Sequence, residues 1–398
     1  MIAVTAVTEL LSIDAALALV LEHARPLPDE EVAVADASGR VLTADAAARV
    51  DLPPFRSSAM DGYAVRAADT PGSLRIAGQS AAGHPSSSPL GAGDAIVIST
   101  GAVVPDAADA VVPVERTRRD GDSVVVEQVD QGENVRPRGG DVASGDTVIA
   151  AGATLGPAQL GALAAVGLER VRCGRSPRVS VLATGSELRR PGEPLGPGEI
   201  YESNTVMLAA QLRRAGAVAE VHAAVADDAD ATRAALERAL EADVLISSGG
   251  VSVGEHDLVR GLLAELGVVE VFWRVAVKPG KPIAFSTRGP TLVFGLPGNP
   301  VSSFVGFELF VRPALAALQG ATAPRPAFLP GRLGVALQRN TARDELVRAR
   351  IDERGVVRPL SGQESHMIAR AAPADALVLV PRGDDELAAG AEISWLPL

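Results

Sequence analysis

The chain has one cysteine, Cys173, in 398 residues, so no intrachain disulfide can form and no thiolate cluster can hold zinc or an iron–sulfur centre. Histidine is also scarce: the five stand apart at positions 23, 84, 222, 256 and 366, and no nucleophile–base pair stands out among them. Positive charge is in deficit, with 37 Lys and Arg against 49 Asp and Glu for a net charge of −12. That balance excludes a sequence-independent hold on nucleic acid, which needs a broad basic face to neutralise phosphates. Any anionic ligand must be small and locally held. No apolar run approaches the ~20 residues of a membrane span, and the N-terminus lacks a basic segment followed by an apolar signal core. The expectation is a cytoplasmic protein with no membrane partner.

What is present is 47% hydrophobic residues with 40 Gly and 28 Pro, the composition of globular units rich in turns, and a length that calls for two to four domains. Residues 8–24 carry an amphipathic helical pattern with Ser12 and Asp14 as cap candidates, closed before Pro26. Residues 32–48 read as a strand, a turn at 36–39 and a further short element. From 50 to about 138, short Val- and Ile-rich runs are cut by Gly, Pro and Asp, and Asp120-Gly121 marks a hairpin. This is a small β domain. Residues 134–147 have no helical period, and the helical run 157–166 leads back toward the first segment.

From residue 178 the pattern becomes regular, with strands at 179–183, 219–225, 244–247, 268–277, 283–286 and 292–295 and helices at 205–214, 230–240, 258–266 and 301–318. Such alternation predicts a mainly parallel sheet with right-handed crossovers. After residue 324 short strands return at 331–337, 345–351, 356–360 and 376–380, a small barrel or sandwich. The expected fold is therefore multidomain α/β plus β. Residues 1–49 with 140–175 form an elongated connector and dimerisation domain, 50–139 a small β domain, 176–322 the α/β domain and 323–398 a C-terminal β barrel.

Ligands of open α/β sheets sit at the carboxyl ends of the strands, so the loops there are the informative ones. They read TGSE (184–187), Asp227-Asp228, SSGGVSVGEHD (247–257), KPGKP (278–282) and LPGNP (296–300), with Ser302 just beyond. Glu187, Asp227, Asp257, Lys278 and Lys281 thus fall on one rim. In the 247–257 stretch, Ser247, Ser248 and Ser252 bring hydroxyl groups, and Gly249 and Gly250 free backbone N–H groups, to a strand-to-helix corner suited to an anion. Two lysines three apart, opposite acidic loops, suit a phosphate or oxyanion bridged to carboxylates by a divalent cation. Arg348, in a charged strand, and Ser365, in the loop 362–366, are the ligand candidates of the C-terminal domain.

Taken together, PPFRSSAMDGYAV (53–65), STGAVVP (99–105), VRPRGGDV (135–142), TGSEL (184–188), IYESN (200–204), SSGGVSVGEHD (247–257), FWRVAVKPGKP (272–282), GLPGNPVSS (295–303) and GQESH (362–366) resemble the MoeA-type molybdopterin molybdenumtransferases, relatives of the gephyrin E domain. The resemblance spans nearly the whole chain. It implies insertion of molybdate into adenylylated molybdopterin, with Mg²⁺-dependent release of AMP. By position it would give Asp227 and Asp257 the metal, with Glu187 beside them, and Lys278, Lys281, Ser302, Arg348 and Ser365 the molybdate and pterin phosphate. Asp61, Thr100 and Asp141 would complete a cleft shared between the two subunits of a homodimer. Arg274 stands where some relatives have Lys, and keeps the charge without the point geometry. The resemblance also implies contact with the molybdopterin adenylyltransferase that makes the substrate. A nucleotide pyrophosphatase sharing only the α/β domain, or a non-enzymatic gephyrin-like scaffold, are the alternatives.

Overall fold

A computed structural model describes residues 10–223, 228–249 and 258–398. Its centre is a six-stranded sheet in the order Val218–Val221, Arg178–Ala183, Val244–Ser248, Thr291–Leu296, Ala284–Arg288, Val269–Trp273. The first four strands are parallel. The last two pairings are antiparallel because Ala284–Arg288 is reversed: it forms a hairpin with Thr291–Leu296 across Gly289 and pairs antiparallel with Val269–Trp273, which runs in the direction of the first four, so the sheet is mainly parallel as expected. The run expected as one strand over 268–277 is two. Its second part, Val277–Lys278, leaves this sheet and pairs with Asp344–Glu345 of the C-terminal sheet. Because the reversed strand begins where its neighbours end, residues 274–283 still lie on the carboxyl rim.

Seven of the eight phenylalanines show where the main core sits. Phe272, Phe285, Phe294, Phe307 and Phe310 are buried in one cluster, with Phe304 and Phe328 packed on it. The ring pair Phe285–Phe294 lies 5.0 Å apart in tilted contact and Phe272–Phe285 5.7 Å apart, within the range of favourable aromatic pairs. The helical stretch Pro300–Leu318 runs through this cluster with a π turn at Phe307–Val311. It has the length and apolarity of a membrane span, contrary to the reading of the sequence, yet it is 83% buried inside the protein and serves as a core helix. The N-terminal helix is Ile13–His23, capped by Ser12 Oγ accepting from Ala15 N at 3.2 Å. Ala16, Leu17 and Val20 bury against the same cluster, so this helix packs on the α/β core and not on the connector where it was expected. A second, smaller cluster backs the opposite face of the sheet under helices Ala229–Ala239 and Leu258–Glu265.

The connector is held by antiparallel pairing of Asp29–Ala33 with Arg170–Gly174 and by the helix Pro157–Ala165 over a core containing Leu42, Leu155, Leu163 and the buried Cys173. Residues 62–126 carry a six-stranded sheet in which Thr117–Asp120 and Ser123–Val126 form the expected hairpin, with Gly121 at φ +59°. In the C-terminal region Asp344–Ile351, Val356–Pro359, Leu329–Leu333, Glu392–Pro397 and Ala376–Val380 pair in turn, and Asp344–Ile351 pairs again with Ala376–Val380. That last pairing closes a five-stranded barrel. The strand Glu392–Pro397, absent from the sequence reading, is one of its staves.

Candidate functional site

At the carboxyl rim lies a cleft of about 670 Å³ lined by Thr184, Glu187, Glu202, Asn204, Ser248, Gly249, Pro282, Asn299 and His366, among others. Three elements build its floor. The strand Val244–Ser248 ends at Gly249, whose φ of +89° only glycine adopts without strain and where a Cβ would stand 3.1 Å from Thr184 O. The helix Asn204–Arg214 begins at the cleft, its start fixed by Glu202, which accepts from Thr205 N at 2.9 Å and from the Thr205 hydroxyl. The loop 297–299 completes the floor before Pro300 opens the next helix. Asn204 ties all three together: its Nδ2 donates to Ser248 Oγ and to Gly298 O, each at 2.8 Å.

Strand alternation sorts the serines expected here. Ser248 faces the cleft, whereas Ser247 lines a cavity of about 270 Å³ on the opposite face beside helix Leu258–Glu265. Successive side chains of a strand point to opposite sides of the sheet, so only one of the two can meet a ligand in the cleft. Of the two, Ser248 is the one that lines the cleft. Gly250, Asp227 and Asp257 lie outside the described residues. Glu187 is exposed on the cleft wall.

The C-terminal barrel contributes the far wall. Val277–Lys278 is annexed to it as an extra strand, and Lys278 Nζ pairs with Glu345 at 2.9 Å. Lys281 is exposed and immediately precedes Pro282 of the cleft lining. Arg274 takes the left-handed φ of +79°, strained for a residue with a Cβ, and stacks its guanidinium 3.8 Å from the Trp273 ring centroid. It stands at the start of this rim segment and outside the cleft lining. Ser302 is buried in the first turn of the helix after the loop 297–299.

Arg348 differs most from expectation. It is 1% exposed, and its guanidinium donates to Gln363 Oε1 at 3.2 Å, Met367 O at 3.1 Å, Gly362 O at 2.7 Å and Glu364 O at 3.3 Å. Burial pushes its pKa down, opposed by the nearby Glu364 charge. Four guanidinium bonds to one loop make it the post on which residues 362–367 hang. That loop delivers Ser365, whose hydroxyl oxygen accepts from Asn299 Nδ2 at 2.8 Å and whose carbonyl accepts from Val301 N at 3.1 Å. Next to it, His366 enters the cleft lining.

Asp61 and Thr100 do meet: Asp61 Oδ1 accepts from Thr100 N at 2.8 Å. Both are exposed, as is Asp141, and none of the three lines the cleft of its own chain. The described cleft residues all come from 183–204, 248–249, 282–300 and 366–368. Among the described residues no three His, Cys, Asp or Glu side chains converge to hold a metal ion. Asn204, Asn299 and His366 escaped the sequence reading although the IYESN, GLPGNP and GQESH motifs contain them, and Ser248 stood there undistinguished from Ser247. Strand alternation from Val244 would have picked out Ser248.

Comparison with known proteins accounts for nearly the whole chain. Residues 11–167 match the MoeA N-terminal region, domains I and II; residues 180–317 match a probable molybdopterin binding domain; residues 330–398 match the MoeA C-terminal region, domain IV. The molybdopterin molybdenumtransferase 2 of Mycobacterium tuberculosis is 39% identical over 391 residues, covering 94% of this chain and 96% of its own. The molybdopterin molybdenumtransferase of Haemophilus influenzae is 38% identical over 323 residues, 78% of each chain. A solved molybdopterin biosynthesis MoeA protein from Pyrococcus horikoshii superimposes with a TM-score of 0.83 at 28% identity, covering 98% of this chain and 100% of that one.

Proposed function

We propose, from the premise that this chain belongs to the molybdopterin molybdenumtransferases, enzymes of molybdenum cofactor biosynthesis, that its rim cleft takes adenylylated molybdopterin and molybdate and releases molybdenum cofactor and AMP. The observation that carries this reading is the cleft itself, where Gly249, Asn204 and Ser248 make a close-approach polar floor and a barrel loop brings His366 to the lining, with Ser365 beside it bonded to Asn299. Such a floor admits a phosphate-bearing ligand near backbone and hydroxyl donors. Molybdate, a small tetrahedral dianion, suits the exposed Lys281 and the Ser365 hydroxyl, with Lys278 held in place by Glu345.

Magnesium fits the donors present. Mg²⁺ favours one or two carboxylates together with phosphate oxygens, and Glu187 supplies an exposed carboxylate on the cleft wall while that of Glu202 is engaged by Thr205. Glu187 would hold the ion, joined, as the family resemblance implies, by Asp227 and Asp257, and the bound ion would neutralise charge on the phosphoanhydride. The chain's own residues bind and orient: Gly249 lets the backbone approach, Asn204 fixes the floor, and the 362–367 loop closes one side. The exposed positions of Asp61, Thr100 and Asp141 support a homodimer in which a second copy brings these residues to the cleft. On this reading the protein works in the cytoplasm beside the adenylyltransferase that makes its substrate.

The test is reconstitution of an apo-molybdoenzyme. The purified chain, given adenylylated molybdopterin, molybdate and Mg²⁺, should restore activity to the apoenzyme, and omission of the chain should leave it inactive at low molybdate. Restoration to the same extent without the chain overturns the proposal.

A further inference from the structure

The hydrogen-bond polarity around Asn204 is fixed by its partners. Gly298 O can only accept, so the side-chain amide must present Nδ2 to it, and the second Nδ2 hydrogen then reaches Ser248 Oγ, both at 2.8 Å. A serine hydroxyl carries one hydrogen and two lone pairs. With one lone pair taken by Asn204, the Ser248 hydrogen must point elsewhere, and among the described residues it finds no acceptor. Ser248 is 3% exposed and lines the cleft, so its free donor is available to a ligand there. The amide that imposes this is itself held rigidly. Asn204 is 8% exposed and is the first residue of a helix whose start is secured by Glu202.

We propose that Asn204 is a positioning residue that locks the Ser248 hydroxyl as a hydrogen-bond donor to a phosphate or phosphoanhydride oxygen in the cleft. The inference rests on the function proposed above for the identity of that oxyanion, and on Asn204, Ser248 and Gly298 alone for the direction of the donor. A hydroxyl left to rotate spends part of its time offering a lone pair to the anion, which repels it. A hydroxyl whose lone pair is already engaged offers its hydrogen continuously, the preorganisation that makes a donor effective in a site with little water.

Four variants separate this from a structural role. Ser248→Ala removes the donor and should lower kcat/KM for AMP release about ten- to a hundredfold, the scale of one charge-assisted hydrogen bond. Asn204→Asp replaces the donor amide by an acceptor, turns the Ser248 hydrogen toward the new carboxylate, and should lose as much as Ser248→Ala. Combining Asn204→Ala with Ser248→Ala should cost no more than Ser248→Ala alone, because Asn204 acts through that hydroxyl. Ser248→Thr keeps the hydroxyl and should recover most of the native rate. Calorimetric titration with inorganic pyrophosphate supplies an arm independent of turnover, in which native protein binds and Ser248→Ala binds at least tenfold more weakly. If native protein fails to release AMP, the proposed reaction is wrong while the pyrophosphate titration still decides the donor. Equal pyrophosphate affinity in native and Ser248→Ala protein, no binding by native protein, or multiplying losses in the double variant would each overturn the inference.

Discussion

Arg348 shows how far a residue's chemistry depends on where its side chain is spent. In sequence it is a cation in a charged strand beside a serine-bearing loop, and a ligand role is the natural expectation. In the fold it is buried, and its guanidinium holds Gly362 O, Gln363 Oε1, Glu364 O and Met367 O. Arg348→Ala should therefore act first on the fold, costing about 1–3 kcal/mol for each buried acceptor left unpaired. Thermal unfolding should show a large drop in midpoint for Arg348→Ala and a small one for Ser365→Ala, while both lose activity. A native-like midpoint in Arg348→Ala with impaired molybdate use alone would return the residue to the ligand site. Gly249 is constrained in a different way. At φ +89° with Thr184 O 3.1 Å from any added Cβ, Gly249→Ala should cost roughly 1–3 kcal/mol of backbone strain and crowd the cleft floor. The measurement is the unfolding midpoint together with substrate affinity, and both should fall.

Among the elements, Asp243 links the connector to the central sheet at the foot of the strand Val244–Ser248. It accepts from Arg175 Nη1 at 3.0 Å and Nη2 at 2.8 Å and from Arg178 N at 2.8 Å. Burial alone would raise its pKa, but the Arg175 bonds and the Arg178 amide outweigh that and hold it below the ordinary 3.8. A depressed carboxylate stabilises the fold above the unfolded-state value and loses that contribution as pH falls through the folded one. Asp243→Asn should thus cost on the order of 1–3 kcal/mol near neutral pH, with the native advantage constant above about pH 5 and shrinking below the ordinary 3.8. Denaturant unfolding from pH 3 to 7 checks this, and a pH-independent difference would contradict it. Much at this scale was legible in the sequence, because apolar period and turn residues are local signals. Ser12 capped the helix and Asp120-Gly121 turned the hairpin as expected. What was not legible depends on pairing between distant segments. The reversal at Gly289, the transfer of Val277–Lys278 to the barrel, and the closing strand Glu392–Pro397 leave no mark in local periodicity. The cleft was legible as a rim of polar loops, but choosing Ser248 over Ser247 required strand phase, and the spending of Arg348 on its loop required the closed barrel.

For the whole molecule, the cleft draws its described lining from 183–204, 248–249, 282–300 and 366–368, while Asp61, Thr100 and Asp141 stand exposed elsewhere on the chain. If a second copy completes each site, Asp61→Ala and Ser365→Ala damage different halves of it. Mixed dimers then hold one intact site of two, so random mixing of two inactive variants should restore about a quarter of native activity. No recovery on mixing, or a fully active monomer in sedimentation, would place each site within one chain. The account as a whole stands on one reaction. AMP released from adenylylated molybdopterin should be followed with native protein while molybdate and Mg²⁺ are supplied or withheld. The expected result is AMP in step with molybdenum cofactor when both are present and little when either is missing. Turnover that is indifferent to Mg²⁺, or cofactor formed with no AMP released, would contradict it.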